Sequence, residues 1–191
     1  MPKVVVIAGI NGAGKTTASV PLLTRVLHIP TFVNADAIAR GLNGLNPEGE
    51  AMRAGRLMLQ QLDELVERRV DFAFETTLAA RTYAGWLGRL RPLGYEVSLH
   101  YYWLNSPELA ISRVAARVQG GGHFIPEATI RQRYARSASN FFELYRPVCD
   151  YWEVYDNSLR QRVLVAIGSP DDELIGDPEL WAKFQRSAER D

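Results

Sequence analysis

Strands alternating with helices along the chain predict an α/β fold, a three-layer sandwich in which helices cover both faces of a parallel sheet of five to six strands. Three observations carry this expectation. The first segment, Val4-Val5-Val6-Ile7-Ala8, is short, apolar and β-branched, as a strand buried on both faces is. A glycine-rich turn follows it directly, and then a stretch with helical spacing. The same strand, turn and helix pattern recurs to the end, with no repeats, low-complexity segments or linkers. With 191 residues, 47% of them hydrophobic and 23% charged, the chain reads as one domain, residues 1–191, large enough for a substantial core.

The elements follow in order. Thr16-Thr17-Ala18-Ser19-Val20, continued by Leu22, Leu23 and Val26, reads as the first helix. Pro30 to Asn34 is a second strand that stops at polar residues beside a helix start. Ala51 to Arg69 spaces Met52, Leu57, Leu59, Leu62 and Leu65 as a helix does. Val70 to Phe74 is a third strand ending at Glu75, and a helix runs from Ala80 or Arg81 to Leu90 before Pro92 and Gly94. Tyr95 to Trp103 is the fourth strand. Ser106 caps the next helix with Pro107 at its first position, and that helix ends at Gly120-Gly121-Gly122. Ile125-Pro126-Glu127 opens an arginine-rich helix through about Tyr145. Tyr151 to Tyr155 is a fifth strand, Arg162 to Ile167 a sixth, and a short helix lies around Leu180, Trp181 and Phe184.

Between the first strand and helix lies Gly9-Ile10-Asn11-Gly12-Ala13-Gly14-Lys15-Thr16-Thr17, an ungapped G-x-x-x-x-G-K-[ST]. Glycines let the backbone turn its N–H groups inward onto phosphate oxygens, and the helix N-terminus adds its positive end. This context predicts a nucleoside triphosphate held by Gly9, Asn11, Gly12, Ala13, Gly14, Lys15, Thr16 and Thr17. Lys15 is expected on the β- and γ-phosphates and the Thr16 hydroxyl on Mg²⁺. The fold expected is therefore one built around a phosphate-binding P-loop.

Two carboxylates lie at the sheet edge that holds ligands in such folds. Asp36, one helical turn before Arg40, either orients and deprotonates an accepting hydroxyl or caps its helix and pairs with Arg40. Glu75 either reaches Mg²⁺ through water, or binds a substrate hydroxyl, or caps a helix. Thr76, Thr77 and Arg81 follow it as candidates to line an acceptor pocket. Arginines form a third group. Arg113 and Arg117 share one helix face, and Arg131, Arg133 and Arg136 lie across the glycines and His123. Two such helices around a glycine hinge, about residues 113–136, predict a small helical lid whose arginines clamp phosphates or stack on a base. A solvated face explains at least two of the five. Trp86, Trp103, Trp152, Phe141, Phe142, Leu144 and Tyr145 read as core. His28 and His100 read as structural. Asp156-Asn157-Ser158 either closes over a base or is a turn.

Composition narrows the partners. The chain has 22 basic and 22 acidic residues, so nothing draws it generally toward nucleic acid or an anionic membrane. No apolar run approaches transmembrane length, and the sequence leaves no room for a signal peptide before the first strand. One cysteine, Cys149, fits a reducing compartment, and the expected localisation is cytoplasmic.

Taken in order, G-I-N-G-A-G-K-T-T, F-V-N-A-D-A-I-A-R, F-E-T-T-L, R-V-x-x-R-V-x-x-G-G-H-x-I-P-E, N-F-F-x-L-Y-R-P and Y-D-N-S resemble the bacterial zeta-toxin-like P-loop kinases over about residues 3 to 168. The resemblance implies a P-loop NTPase fold of the kinase type and transfer of the γ-phosphate from ATP or GTP with Mg²⁺ to a small-molecule hydroxyl, in the toxins the 3′-hydroxyl of a UDP-N-acetylated amino sugar. It implies Asp36 as general base, Glu75 as substrate-binding acid and Arg117 as a lid arginine, and it introduces an antitoxin protein as a partner. A second lid arginine of the toxins aligns with His123, unless Arg131 or Arg133 substitutes. The toxins are longer, and their C-terminal substrate-binding extension has no expected counterpart here. Rival readings are a kinase of another metabolite (nucleoside, sugar or antibiotic), a nucleotide-dependent ATPase switch, and 5′-end phosphorylation of a polynucleotide, which the neutral charge disfavours.

Overall fold

The computed structural model describes residues 1–122 and 124–189. Among them one sheet carries seven strands: β1 (Lys3–Ala8), β2 (Phe32–Asn34), β3 (Phe72–Thr76), β4 (Glu96–Trp103), β5 (Tyr151–Asp156), β6 (Val163–Gly168) and β7 (Glu173–Ile175). Their order is β2-β3-β1-β4-β5-β6-β7. The first five are parallel, whereas β5–β6 and β6–β7 run antiparallel. The α/β expectation holds, but the sheet is wider than expected and its far edge reverses. The three-residue strand β7 was not expected at all.

The helices are α1 (Lys15–Pro21), α2 (Ala35–Leu42), α3 (Ala51–Glu67), α4 (Thr82–Gly88), α5 (Pro107–Gln119), α6 (Glu127–Asn140) and α7 (Pro178–Ala188). Two expected helices change character on the way. α1 widens into a π-helical segment, Leu22–Val26, directly after Pro21, whose ring supplies no N–H for an ordinary α-helical bond. α6 widens likewise at Phe141–Tyr145. None of the described helices is long and apolar enough to cross a membrane.

Strand alternation sorts the core. Val4, Val6 and Ala8 of β1 face a layer from α3, α4, α7 and the Phe141–Tyr145 segment, with Met58, Leu62, Trp86, Leu87, Trp181 and Phe184 buried there. Val5 and Ile7 face Leu23, Ala110, Val114 and Ile130 on the other side. Trp86, Trp103, Trp152, Phe141 and Tyr145 are core, as expected. β1 lies between β3 and β4, so the winding reverses beside it and a crevice opens at its carboxyl end.

Candidate functional site

The loop after β1 is shaped by close approach. At Gly9, with φ +137°, an added Cβ would stand 2.2 Å from the Tyr102 carbonyl oxygen, so only glycine fits against β4. At Gly14, with φ +77°, a Cβ would meet the Asn157 amide at 2.7 Å. The Asn157 Nδ2 donates to the Ala13 carbonyl at 2.7 Å. Arg113 in turn donates to the Asn157 carbonyl at 2.9 Å and to that of Ser158 at 2.8 Å. Asp156-Asn157-Ser158 is thus a turn that buttresses the loop. Arg113 lines the cleft with its guanidinium engaged on that turn.

Lys15 is buried. Its Nζ donates to the Ile10 carbonyl at 3.0 Å and lies 3.3 Å from Glu75 Oε1. The Thr16 hydroxyl donates to Glu75 Oε2 at 2.9 Å, and Asn34 Nδ2 donates to the same oxygen at 3.1 Å. Glu75 lies within β3 and caps no helix. β3 pairs with both β1 and β2, and this register brings Glu75 beside Ile7 and Asn34.

Asn34, at the end of β2, is also the cap of α2. Its Oδ1 accepts from the amides of Asp36 and Ala37 at 2.8 and 3.2 Å. The reading of Asp36 as that cap is corrected by this geometry. Asp36 and Arg40 are exposed, and neither side chain makes a hydrogen bond or ion pair with a described residue. Both line the crevice.

That crevice has two lobes. One, of about 340 Å³, is bounded by Gly12, Gly14, Thr16, Thr17, Arg113 and Arg117. The other, of about 460 Å³, is bounded by Thr76, Thr77, Ala80, Tyr83, Thr129 and Arg133. Asn11, Lys15, Asn34, Asp36, Arg40 and Glu75 line both, so the lobes meet on these six residues. Burial pushes the Tyr83 phenol up from its ordinary value, so it stays neutral as a wall of the second lobe.

The lid arginines separate. Arg133 reaches back to Asn11 Oδ1 of the loop at 2.8 Å. Arg131, two residues earlier, pairs with exposed Glu108 at 2.6 Å and borders neither lobe. Arg136 is exposed. Arg81 is exposed at the start of α4 and also borders neither lobe. The expectation for His123 lies outside the described residues. Asn34 and Tyr83 are site residues that the sequence did not single out, whereas Asn157 was read there as part of a turn or a cover over a base. An Asn before a helical stretch is a cap signal, which marks Asn34. Tyr83 has no such local mark.

The family model described as "AAA domain" matches residues 4–139. An uncharacterized protein of Haemophilus influenzae (strain ATCC 51907 / DSM 11121 / KW20 / Rd) is 30% identical over 135 residues, 69% of this chain and 92% of that one. Among solved structures, the AvrRxo1-ORF1:AvrRxo1-ORF2 complex superimposes with a TM-score of 0.80 at 14% identity with sulphate ions bound. The same complex with ATP gives 0.78 at 14% identity. The superposition covers all of this chain, which spans 65% of the length of the matched one. The PezAT chromosomal toxin-antitoxin system of Streptococcus pneumoniae superimposes with a TM-score of 0.66 at 19% identity, over 87% of this chain and 72% of that one. At these identities the superpositions show a shared fold.

Proposed function

The chain belongs to the AAA-domain family, and from that premise we propose that it is an ATP-dependent phosphotransferase acting on a hydroxyl of a small molecule. The observation that carries the proposal is the pair of lobes meeting on Lys15, Asp36 and Glu75. A donor in the loop-side lobe and an acceptor in the other would have their reacting ends at this junction. ATP in the AvrRxo1-ORF1:-ORF2 complex supports the choice of nucleotide.

The groups present fit a magnesium nucleotide. A threonine hydroxyl and a carboxylate held 2.9 Å apart are hard oxygen donors of the kind Mg²⁺ takes, directly or through water. Thr16 and Glu75 would hold the ion, and bound there it would supply positive charge to offset that of the phosphates. Glu75 holds the Thr16 hydroxyl and Lys15 in place before any ligand arrives. Lys15 balances charge on the β- and γ-phosphates. Asp36 takes the proton of the accepting hydroxyl, and its exposure leaves its carboxylate available for that contact. Arg117, on the loop-side lobe, and Arg133, between Asn11 and the acceptor lobe, steady the transferring group. Arg40, Thr76 and Thr77 contact the acceptor. Arg131 and Arg81 take no part.

The first acceptor to test is UDP-N-acetylglucosamine, on the motif resemblance to zeta-toxin-like kinases. A nucleoside, sugar or antibiotic would be handled by the same machinery. A cytoplasmic site of action and an antitoxin-type protein partner complete the proposal, the latter supported by the PezAT likeness. The test is ATP consumption with and without a panel of acceptors, beside Asp36→Asn. Turnover that needs an acceptor and disappears in the variant supports the reading. Turnover indifferent to both sinks it in favour of an ATPase switch.

A further inference from the structure

The acceptor lobe is walled by a loop, residues 76–80, whose backbone is held in an unusual shape. Leu78 adopts φ +56°, the left-handed region that a branched side chain enters at a cost. Its side chain is nevertheless wholly buried in the core. Short-range bonds supply part of the support, from the Leu78 amide to Thr76 Oγ1 at 3.2 Å and from the Ala79 amide to Thr77 Oγ1 at 3.4 Å.

The Gly9 amide donates to the Thr76 carbonyl at 3.2 Å, and three further bonds come from a single helical run far away in sequence. Ser137 Oγ donates to the Thr77 carbonyl at 2.6 Å. Asn140 Nδ2 donates to the Leu78 carbonyl at 2.7 Å, and the Tyr145 hydroxyl to the Ala80 carbonyl at 2.5 Å. All three residues are buried, Ser137 and Tyr145 completely. The π-helical widening at Phe141–Tyr145 makes the third bond reachable. In an α-helix, residues five apart point about 140° away from each other. Bonding of residue i to i+5 instead stacks Tyr145 more nearly above Asn140. The widening thus turns a core tyrosine toward the loop.

The same run carries Thr129 and Arg133 into the acceptor lobe at its other end, and Arg133 bonds Asn11 of the phosphate loop. One rigid element therefore touches both loops between which transfer would occur.

Building on the phosphotransferase reading, we infer that Ser137, Asn140 and Tyr145 are positioning residues that set the 76–80 loop for the acceptor. They touch no substrate. They act by fixing Thr76, Thr77 and Ala80, so loosening them should weaken acceptor recognition and leave the nucleotide side intact.

Tyr145→Phe deletes only the hydroxyl and keeps the core ring. Asn140→Asp keeps the shape and replaces the donor by a carboxylate. In the full chain, hydrogen exchange of the peptide spanning 76–80 should quicken about tenfold in either variant. The acceptor KM should rise about tenfold, for whichever acceptor the wild type phosphorylates, with Mg²⁺-AMP-PNP affinity held within about twofold. Exchange unchanged in both variants would overturn the inference. So would a loss falling equally on acceptor and AMP-PNP. A wild type that phosphorylates nothing overturns the phosphotransferase reading instead, and the exchange data then decide the hold on the loop by themselves.

Discussion

Where the two lobes meet, Glu75 accepts from Thr16 and Asn34 and pairs with Lys15, each partner within 3.3 Å. At the same junction Asp36, at the start of the helix that Asn34 caps, is exposed and bonded by its carboxylate to no described residue. One carboxylate is set before a ligand arrives and the other is left free. On the proposed phosphotransferase reading, the difference matches what each would meet. Phosphate and a divalent ion have fixed charge and geometry, so groups fixed in advance reorganise little at the moment of reaction. An acceptor hydroxyl brings its own geometry, and an exposed carboxylate can meet it without breaking an existing bond.

Asp36→Asn tests that contrast most severely. If Asp36 is the base, kcat should fall by about 10²–10⁴. Because no described residue leans on its carboxylate, Tm and Mg²⁺-AMP-PNP affinity should stay at the wild-type level. Steady-state turnover, thermal unfolding and nucleotide titration on the same preparations check all three. A variant that melts early or loses nucleotide would break the comparison, since Asp36 would then belong to the preset half.

Glu75→Gln should act differently on the same crevice. Its kcat should fall by about 10²–10³ as the preset electrostatics are lost. Unlike Asp36→Asn, it should also lower Tm, because it leaves the buried Lys15 ammonium without its carboxylate. Half-saturation with Mg²⁺ should move upward in a metal titration. A Glu75→Gln protein with wild-type Tm would erase the distinction between the two acids.

Much of the preset half was legible in the sequence because it is built locally. The β-branched run, the glycines and Lys15-Thr16 lie within fifteen positions, and Ser106 does accept from the Leu109 amide as the cap pattern predicts. Glu75 was legible because an acid directly after Phe72-Ala73-Phe74 falls at the ligand edge of the sheet. Asn34 and Asp36 are both good caps, so their spacing could not assign the role; only the fold gives it to Asn34. Arg131 and Arg133 lie about 200° apart round a helix, and sequence alone cannot say which side faces the crevice. β6 is the sixth strand that the sequence predicts, but its reversed direction and the added strand β7 depend on how the chain folds back after β5. The hold of Asn140 on Leu78 spans 62 positions. Neither leaves a local pattern.

Glu153 sharpens the contrast from outside the crevice. Burial works against its charge, but His100, Tyr151 and Tyr155 outweigh it through hydrogen bonds to the carboxylate, and its pKa falls from the ordinary 4.5 to about 2. His100 Nδ1 lies 2.7 Å from Oε2, and the two tyrosine hydroxyls donate at 2.6 and 2.8 Å. A folded pKa below the unfolded one adds stability that is fully present above about pH 4.5 and is lost as pH falls toward about 2. Glu153→Gln should therefore lower Tm at pH 7, with the gap to wild type closing between about pH 5 and pH 2. Turnover at neutral pH should not change, since Glu153 borders neither lobe. A gap that stays constant with pH would mean that the bonded carboxylate does not stabilise the fold through its charge.

The smallest effect belongs to Arg131. Its guanidinium lies on Glu108 Oε1 at 2.6 Å, and both side chains are about half exposed or more. That contact holds the Glu108 carboxyl below its usual range. Water screens such a pair, and ordering two long side chains offsets most of the attraction. Arg131→Ala should therefore leave kcat, acceptor KM and Tm close to wild type. Arg133→Ala, two residues along the same helix, should lower kcat by removing the bond to Asn11 and a charge beside the acceptor lobe. Running the two variants through one kinetic assay separates the faces of α6. Equal losses would mean that Arg131 leaves Glu108 when the crevice is filled, and that the free half includes a second arginine.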